Sequence, residues 1–172
     1  DLTVYGKLGI TVGADIGGTN ALHDISMTTG GASTQDIALG ANVIGTSVLF
    51  NTGASGKTTI TALQNNTSGS TTYEGKVTIN DPAGTPTLTL TSYGDMTFYG
   101  DVTVTSINSP TLPAGNITST NGSLAFKGDL SGAQPLILIA KVDVALNTVG
   151  SGAAPTLLDV NSKTATLNGA TI

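Results

Sequence analysis

The chain has no cysteine, no tryptophan and no arginine, and it has a single histidine, His23. Without cysteine there is neither a disulfide framework nor a thiol-ligated metal, a usage that suits an exported bacterial or archaeal protein. Without arginine, and at a net charge of −5 carried on six lysines and eleven acidic residues, the chain lacks the clustered positive charge that nucleic acids require. Ten of those acids are aspartate and one, Glu74, is glutamate. The carboxylate pairs, basic residues and aromatics that line the grooves of polysaccharide lyases and hydrolases are therefore scarce, and the expectation is a protein that is not an enzyme and uses no cofactor or metal. Charged residues make up 10% of the chain, against about 25% in ordinary globular proteins. The longest apolar run, Leu136 to Ala140, is strand-sized and far short of the roughly 20 residues of a membrane helix. The helix formers Glu, Gln, Arg and Met are nearly missing too, a balance that favours strands and turns.

What is present is threonine, glycine, serine and asparagine in a period of two. Leu2, Val4, Leu8, Ile10 and Val12 share one phase, opposite Thr3, Lys7 and Thr11; Met96, Phe98, Val102 and Val104 repeat it opposite Thr97, Asp101, Thr103 and Thr105. Val142, Val144 and Leu146 alternate with Lys141 and Asp143. One face of each strand is buried and the other is wet. A short motif also recurs: Asp1-Leu-Thr-Val-Tyr-Gly6, Asp95-Met-Thr-Phe-Tyr-Gly100 and Ser123-Leu-Ala-Phe-Lys-Gly128, with a shorter copy from Tyr73. Repetition of a small unit that cannot bury its own apolar face implies a stacked array. The motif glycines fall on the inward parity, where a missing side chain is tolerated if the chain turns a corner there or another backbone approaches; a β-bulge in a sandwich strand is the competing explanation. Gly56, Gly75, Gly100 and Gly128 are 19, 25 and 28 residues apart, and turn clusters such as Thr29–Thr34, Asn80–Gly84 and Ser109–Gly115 lie between strands. These features predict one all-β domain over residues 1–172, a parallel β-helix (β-solenoid) of about seven coils. The alternative is a β-sandwich that donates an end strand.

Gly115-Asn-Ile-Thr, Gly122-Ser-Leu-Ala-Phe-Lys-Gly128-Asp-Leu-Ser-Gly and Asn147-Thr-Val-Gly-Ser-Gly-Ala-Ala-Pro-Thr-Leu resemble the Gly-rich β-strand repeats of giant bacterial surface proteins of the filamentous-haemagglutinin and autotransporter-passenger type. The resemblance extends through residues 94–172 and is weak over residues 13–70. It implies a right-handed parallel β-helix serving as a stalk, adhesin or matrix component at the extracellular or cell surface of a prokaryote.

Local motifs admit sharper readings. Thr52-Gly-Ala-Ser-Gly-Lys57-Thr58 looks like a phosphate-binding loop, but a strand-like segment follows it where a helix is needed, so a Gly-Ser turn is expected. Gly13-Ala-Asp-Ile-Gly-Gly-Thr-Asn20 resembles the first phosphate loop of sugar kinases without the helices of that fold, and a corner turn is expected. Neither Gly17-Gly18 nor Gly30-Gly31 continues as a calcium-solenoid repeat; Asp95, Asp101 and Asp129 read as turn and strand-edge residues. Thr59/Thr61, Thr87/Thr89, Thr103/Thr105, Thr118/Thr120 and Thr164/Thr166 are similar to the threonine arrays of ice-binding solenoids, but their uneven spacing predicts that they do not stack. His23 reads as a solvated loop residue. Both ends of the sequence lie inside the strand motif, so either the chain is cut from a longer array or its ends meet the next copy. The expected self-association residues are Leu2, Val4, Leu167 and Ile172, giving a head-to-tail homopolymer. The alternative function is a binding module for ice or a surface glycan.

Overall fold

The computed structural model describes residues 1–30, 35–80, 89–106 and 116–169. Among them there are eighteen strands and no helix, so none is long and apolar enough to cross a membrane. The strands form a parallel β-solenoid with three faces. The first face stacks β1 (Leu2–Gly6), β3 (Leu22–Thr29), β5 (Gly45–Asn51), β8 (Ser70–Glu74), β11 (Met96–Phe98), β14 (Leu124–Ser131), β16 (Asp143–Val149) and β18 (Thr164–Leu167). The second holds β2 (Ile10–Val12), β4 (Ile37–Leu39), β6 (Lys57–Ile60), β9 (Lys76–Asn80) and β12 (Val102–Ser106). The third holds β7 (Gln64–Asn66), β10 (Leu90–Ser92), β13 (Asn116–Ser119), β15 (Pro135–Ala140) and β17 (Leu157–Asn161). An isolated parallel bridge, Ile16 to Val43, carries that side into the first coils.

Every pairing between these strands is parallel, which selects the solenoid over the sandwich. On the first face the register runs Leu2, Ile25, Val48, Thr71, Met96, Leu124, Val144, Ala165. Coils are thus 20 to 28 residues long, and these seven steps agree with the expected coil number. The register is kept despite this variation, which falls between the strands rather than within them. All of Asn80–Gly84 but Asn80 itself, all of Ser109–Gly115, most of Thr29–Thr34, and the terminal Ile172 lie outside the described residues.

The core is a set of inward columns that run along the rod. One contains Val4, Met27, Phe50, Tyr73, Phe98, Phe126, Leu146 and Leu167, one residue from each strand of the first face. Its four rings stack at centroid distances of 5.1, 5.0 and 4.8 Å, close to the 4.7–4.9 Å spacing that hydrogen-bonded strands impose. Burial pushes the Tyr73 phenol pKa upward, so the ring stays neutral in the stack. A second column, on the second face, contains Ile10, Ile37, Thr58, Val77, Val102 and Leu130.

The parity predicted from sequence holds within strands and resets at corners. Leu8, between β1 and β2, is 89% exposed, and Val142, just before β16, is 40% exposed; both were expected inside. The motif glycines do mark a corner, between the first and second faces. A Cβ on Gly100 would overlap the Gly75 carbonyl, and one on Gly128 would overlap the backbone at Gly100. In those two coils only glycine lets the chain close on the coil before it. The competing bulge is also present, since β14 runs through the corner at Gly128 and its register against β16 shifts between Phe126 and Asp129. Where earlier coils have threonine at this corner, its hydroxyl takes up a backbone carbonyl: Thr29 donates to Gln35 and Thr52 to Glu74.

Aspartates hold successive coils together. The backbone N–H of Asp24, Asn42, Lys57, Ser123, Asp129 and Ser151 donates to a carboxylate oxygen of Asp1, Asp15, Asp36, Asp95, Asp101 and Asp129 respectively. In each case the acceptor belongs to one coil and the donor to the next. This is the turn and strand-edge role expected of Asp95, Asp101 and Asp129, with a definite partner.

Candidate functional site

Two features of the surface carry functional content: the ends of the rod and a groove along its glycine corner.

At the N-terminal end, among the described residues, β1 pairs with β3 and β2 with β4 and neither has a second neighbour. At the other end, among the described residues, β17 pairs with β15 alone and β18 with β16 alone. Of the expected self-association residues, Leu2 and Val4 are half-buried against the end of the core, and Leu167 is 45% exposed. Ile172 lies outside the described residues. Val4 and Leu167 occupy opposite ends of one inward column, and Leu2 and Ala165 opposite ends of its neighbour. Exposed apolar side chains gather at both ends, Tyr5 and Leu8 at one and Leu157 and Leu167 at the other. Sequence reasoning found these strands but had no means of placing their residues in a shared column.

The groove follows the corner between the first and second faces. It has a volume of about 580 Å³ and spans three coils. Gly53, Gly75 and Gly100 give it a floor of bare backbone; Asn51, Glu74 and Tyr99 stand on one wall and Lys76 and Asp101 on the other. Those walls follow from register: Asn51 stacks on Glu74, one position beyond the Phe50, Tyr73 and Phe98 column. Tyr99 is 57% exposed. The side chains of Glu74, Lys76 and Tyr99 form no hydrogen bond or ion pair among the described residues. The signal for this site was present in the sequence, since Phe98 inward forces Tyr99 outward, beside the corner Gly100.

The local motifs take their bland readings. Thr52 to Gly56 is a turn, and it runs into strand β6 rather than into a helix. Lys57 donates its backbone N–H to Asp36, and its Nζ lies 4.0 Å from the same carboxylate. In the Gly13–Asn20 segment, Asp15 accepts from Asn42 and Ile16 bridges to Val43. His23 lies in β3 rather than in a loop; its Nδ1 is 2.9 Å from Asp24 and 3.6 Å from Asp1, all three side chains being exposed.

One expectation is overturned in part: Thr118 in β13 and Thr164 and Thr166 in β18 lie on the third and first faces and do not stack on Thr59 or Thr103, as expected, but the second face does carry a threonine column. Thr59, Thr78 and Thr103 stack directly, in a column that starts at Thr11 and is interrupted only by Ala38. The uneven sequence spacing is absorbed at the corners, so it carries no information about alignment on the face. Beside this column, Thr61 donates to the Leu39 carbonyl and Thr105 to the Ile79 carbonyl.

No family model, curated protein or solved structure matches the chain. The class of the molecule, an all-β parallel solenoid, therefore rests on its own architecture.

Proposed function

We propose that the chain is an extracellular structural element of a prokaryotic surface, a non-enzymatic rod that extends by stacking end to end on a second copy. The observation that carries this reading is the continuity of the inward columns. A second copy placed with Val4 over Leu167 and Leu2 over Ala165 would add one more step to each column. It would also pair the free edges of β18 and β1 and cover the apolar residues at both ends. Such a joint is heterologous and does not close, so it grows a filament. The resemblance to filamentous-haemagglutinin and autotransporter repeats points to the same kind of role, as a filament subunit or as a stalk or adhesin segment. Electron microscopy of the purified chain at high concentration is expected to show unbranched filaments whose width is that of one solenoid. A chain that remains monomeric under those conditions overturns end-to-end stacking.

The threonine column on the second face supports a second reading, binding to ice. Its test is independent of assembly: thermal hysteresis measured on the chain, lost on Thr78→Tyr, would favour it, and no hysteresis would remove it.

A further inference from the structure

The groove along the glycine corner has the composition of a carbohydrate site. We propose that it binds a short, neutral pyranose oligosaccharide laid along the rod axis, a function separate from the structural role and not dependent on it. Four observations lead there. First, the free groups in the groove are those that hold sugar hydroxyls. The Glu74 carboxylate accepts, the Lys76 ammonium donates, and the Tyr99 phenol does both. None of these three side chains has a partner among the described residues. Asn51 accepts from the Gly53 N–H through Oδ1 and keeps its Nδ2 donors, and Asp101 accepts from the Asp129 N–H through Oδ1 and keeps Oδ2.

Second, Tyr99 stands on the wall with its ring 57% exposed. An exposed ring beside a bare glycine floor offers an apolar surface to the C–H face of a pyranose while its hydroxyl stays wet. Third, the charge balance disfavours an anion. Two carboxylates, Glu74 and Asp101, face one ammonium, Lys76, so a phosphate, sulfate or uronate would meet net negative charge. Fourth, the backbone is not on offer to a peptide. The Tyr73, Glu74 and Asp101 carbonyls already accept from Tyr99, Thr52 and Val77, so these three acceptors are not open to an added strand, which favours recognition by the side chains.

Dimensions set the ligand's length. Rungs of the solenoid repeat every ~4.8 Å, comparable to one pyranose residue in an extended chain. The groove spans three coils, so it takes about two or three sugar units, and its size falls within the range of small-molecule sites.

The test is saturation-transfer NMR on the full chain with cellohexaose, mannohexaose and maltohexaose at about 1 mM, the range expected of weak sugar contacts, beside an oligogalacturonate of the same length. At least one neutral oligosaccharide is expected to bind and the oligogalacturonate to bind more weakly. Tyr99→Ala and Glu74→Gln are expected to weaken binding at least about tenfold while circular dichroism and the melting temperature stay unchanged. Tyr93→Ala removes a comparably exposed tyrosine outside the groove and is expected to leave binding intact. No transfer to any neutral oligosaccharide, stronger binding of the oligogalacturonate, or equal losses at Tyr93 and Tyr99 each overturn the proposal.

Discussion

Thr58 is the one buried residue among those described whose side-chain oxygen has no hydrogen-bond partner. It sits at 0% exposure between Ile37 and Val77 in an otherwise aliphatic column. A hydroxyl removed from water without a partner costs about 1–3 kcal/mol, and valine has nearly the same shape. Thr58→Val is therefore expected to stabilise the protein by about 1 kcal/mol, read as a rise in the midpoint of chemical denaturation at unchanged slope. No gain, or a loss, would mean that the hydroxyl finds a partner after all. The contrast with Thr29 and Thr52 is instructive. They also point inward, but at a corner, where a backbone carbonyl is within reach. Position in the coil decides whether a buried threonine is a fastening or a cost.

At the scale of the element, the short strands gain their order from neighbours in adjacent coils. β4, β10 and β11 are three residues each, too short to persist alone. The aspartate clamps act at this level by fixing where each strand starts over the one before it. Asp129 is the acceptor for Ser151, across the loop that joins β16 to β17. Asp129→Ala is expected to destabilise by about 1 kcal/mol, the worth of one such hydrogen bond, and Asp129→Asn to restore most of it because an amide oxygen still accepts. Equal melting temperatures for all three chains would show that the clamp contributes nothing. The strands, their inward faces and the glycine corner were legible in the sequence, because period-2 patterning and glycine sterics are local properties. Which residue lies above which was not. Steps of 19 and 25 residues separate Thr59, Thr78 and Thr103, and nothing local says that they end in one column. The same gap hid the groove walls, which are adjacent only through register, and the exposure of Leu8 and Val142, where the chain bends and parity is lost.

At the scale of the whole molecule, stability is distributed as in other stacked arrays, each coil resting on its two neighbours. Among the described coils the interior ones have both, and the first and last have one. A proline removes a ladder donor and clashes with sheet pairing, so its position sorts two effects. Val4→Pro and Leu167→Pro are expected to abolish filaments while circular dichroism still reports the β-structure of the interior. Val102→Pro, at a buried position of β12 with neighbours on both sides, is expected to lower the melting temperature of the rod itself. Normal filaments from both end variants would show that the joint lies elsewhere. The groove is independent of this outcome, since its walls come from interior coils that a monomer and a filament share.

The aspartate clamps have a consequence of their own. All six reach the same way, a carboxylate on the earlier coil taking an amide from the later one. The rod therefore has an arrow. One tip presents what the other tip receives, as with a stack of cups, and two rods turned tip to identical tip would confront like with like. Any chain of such rods is a one-way street, with a plus end and a minus end determined by the direction in which its carboxylates lean.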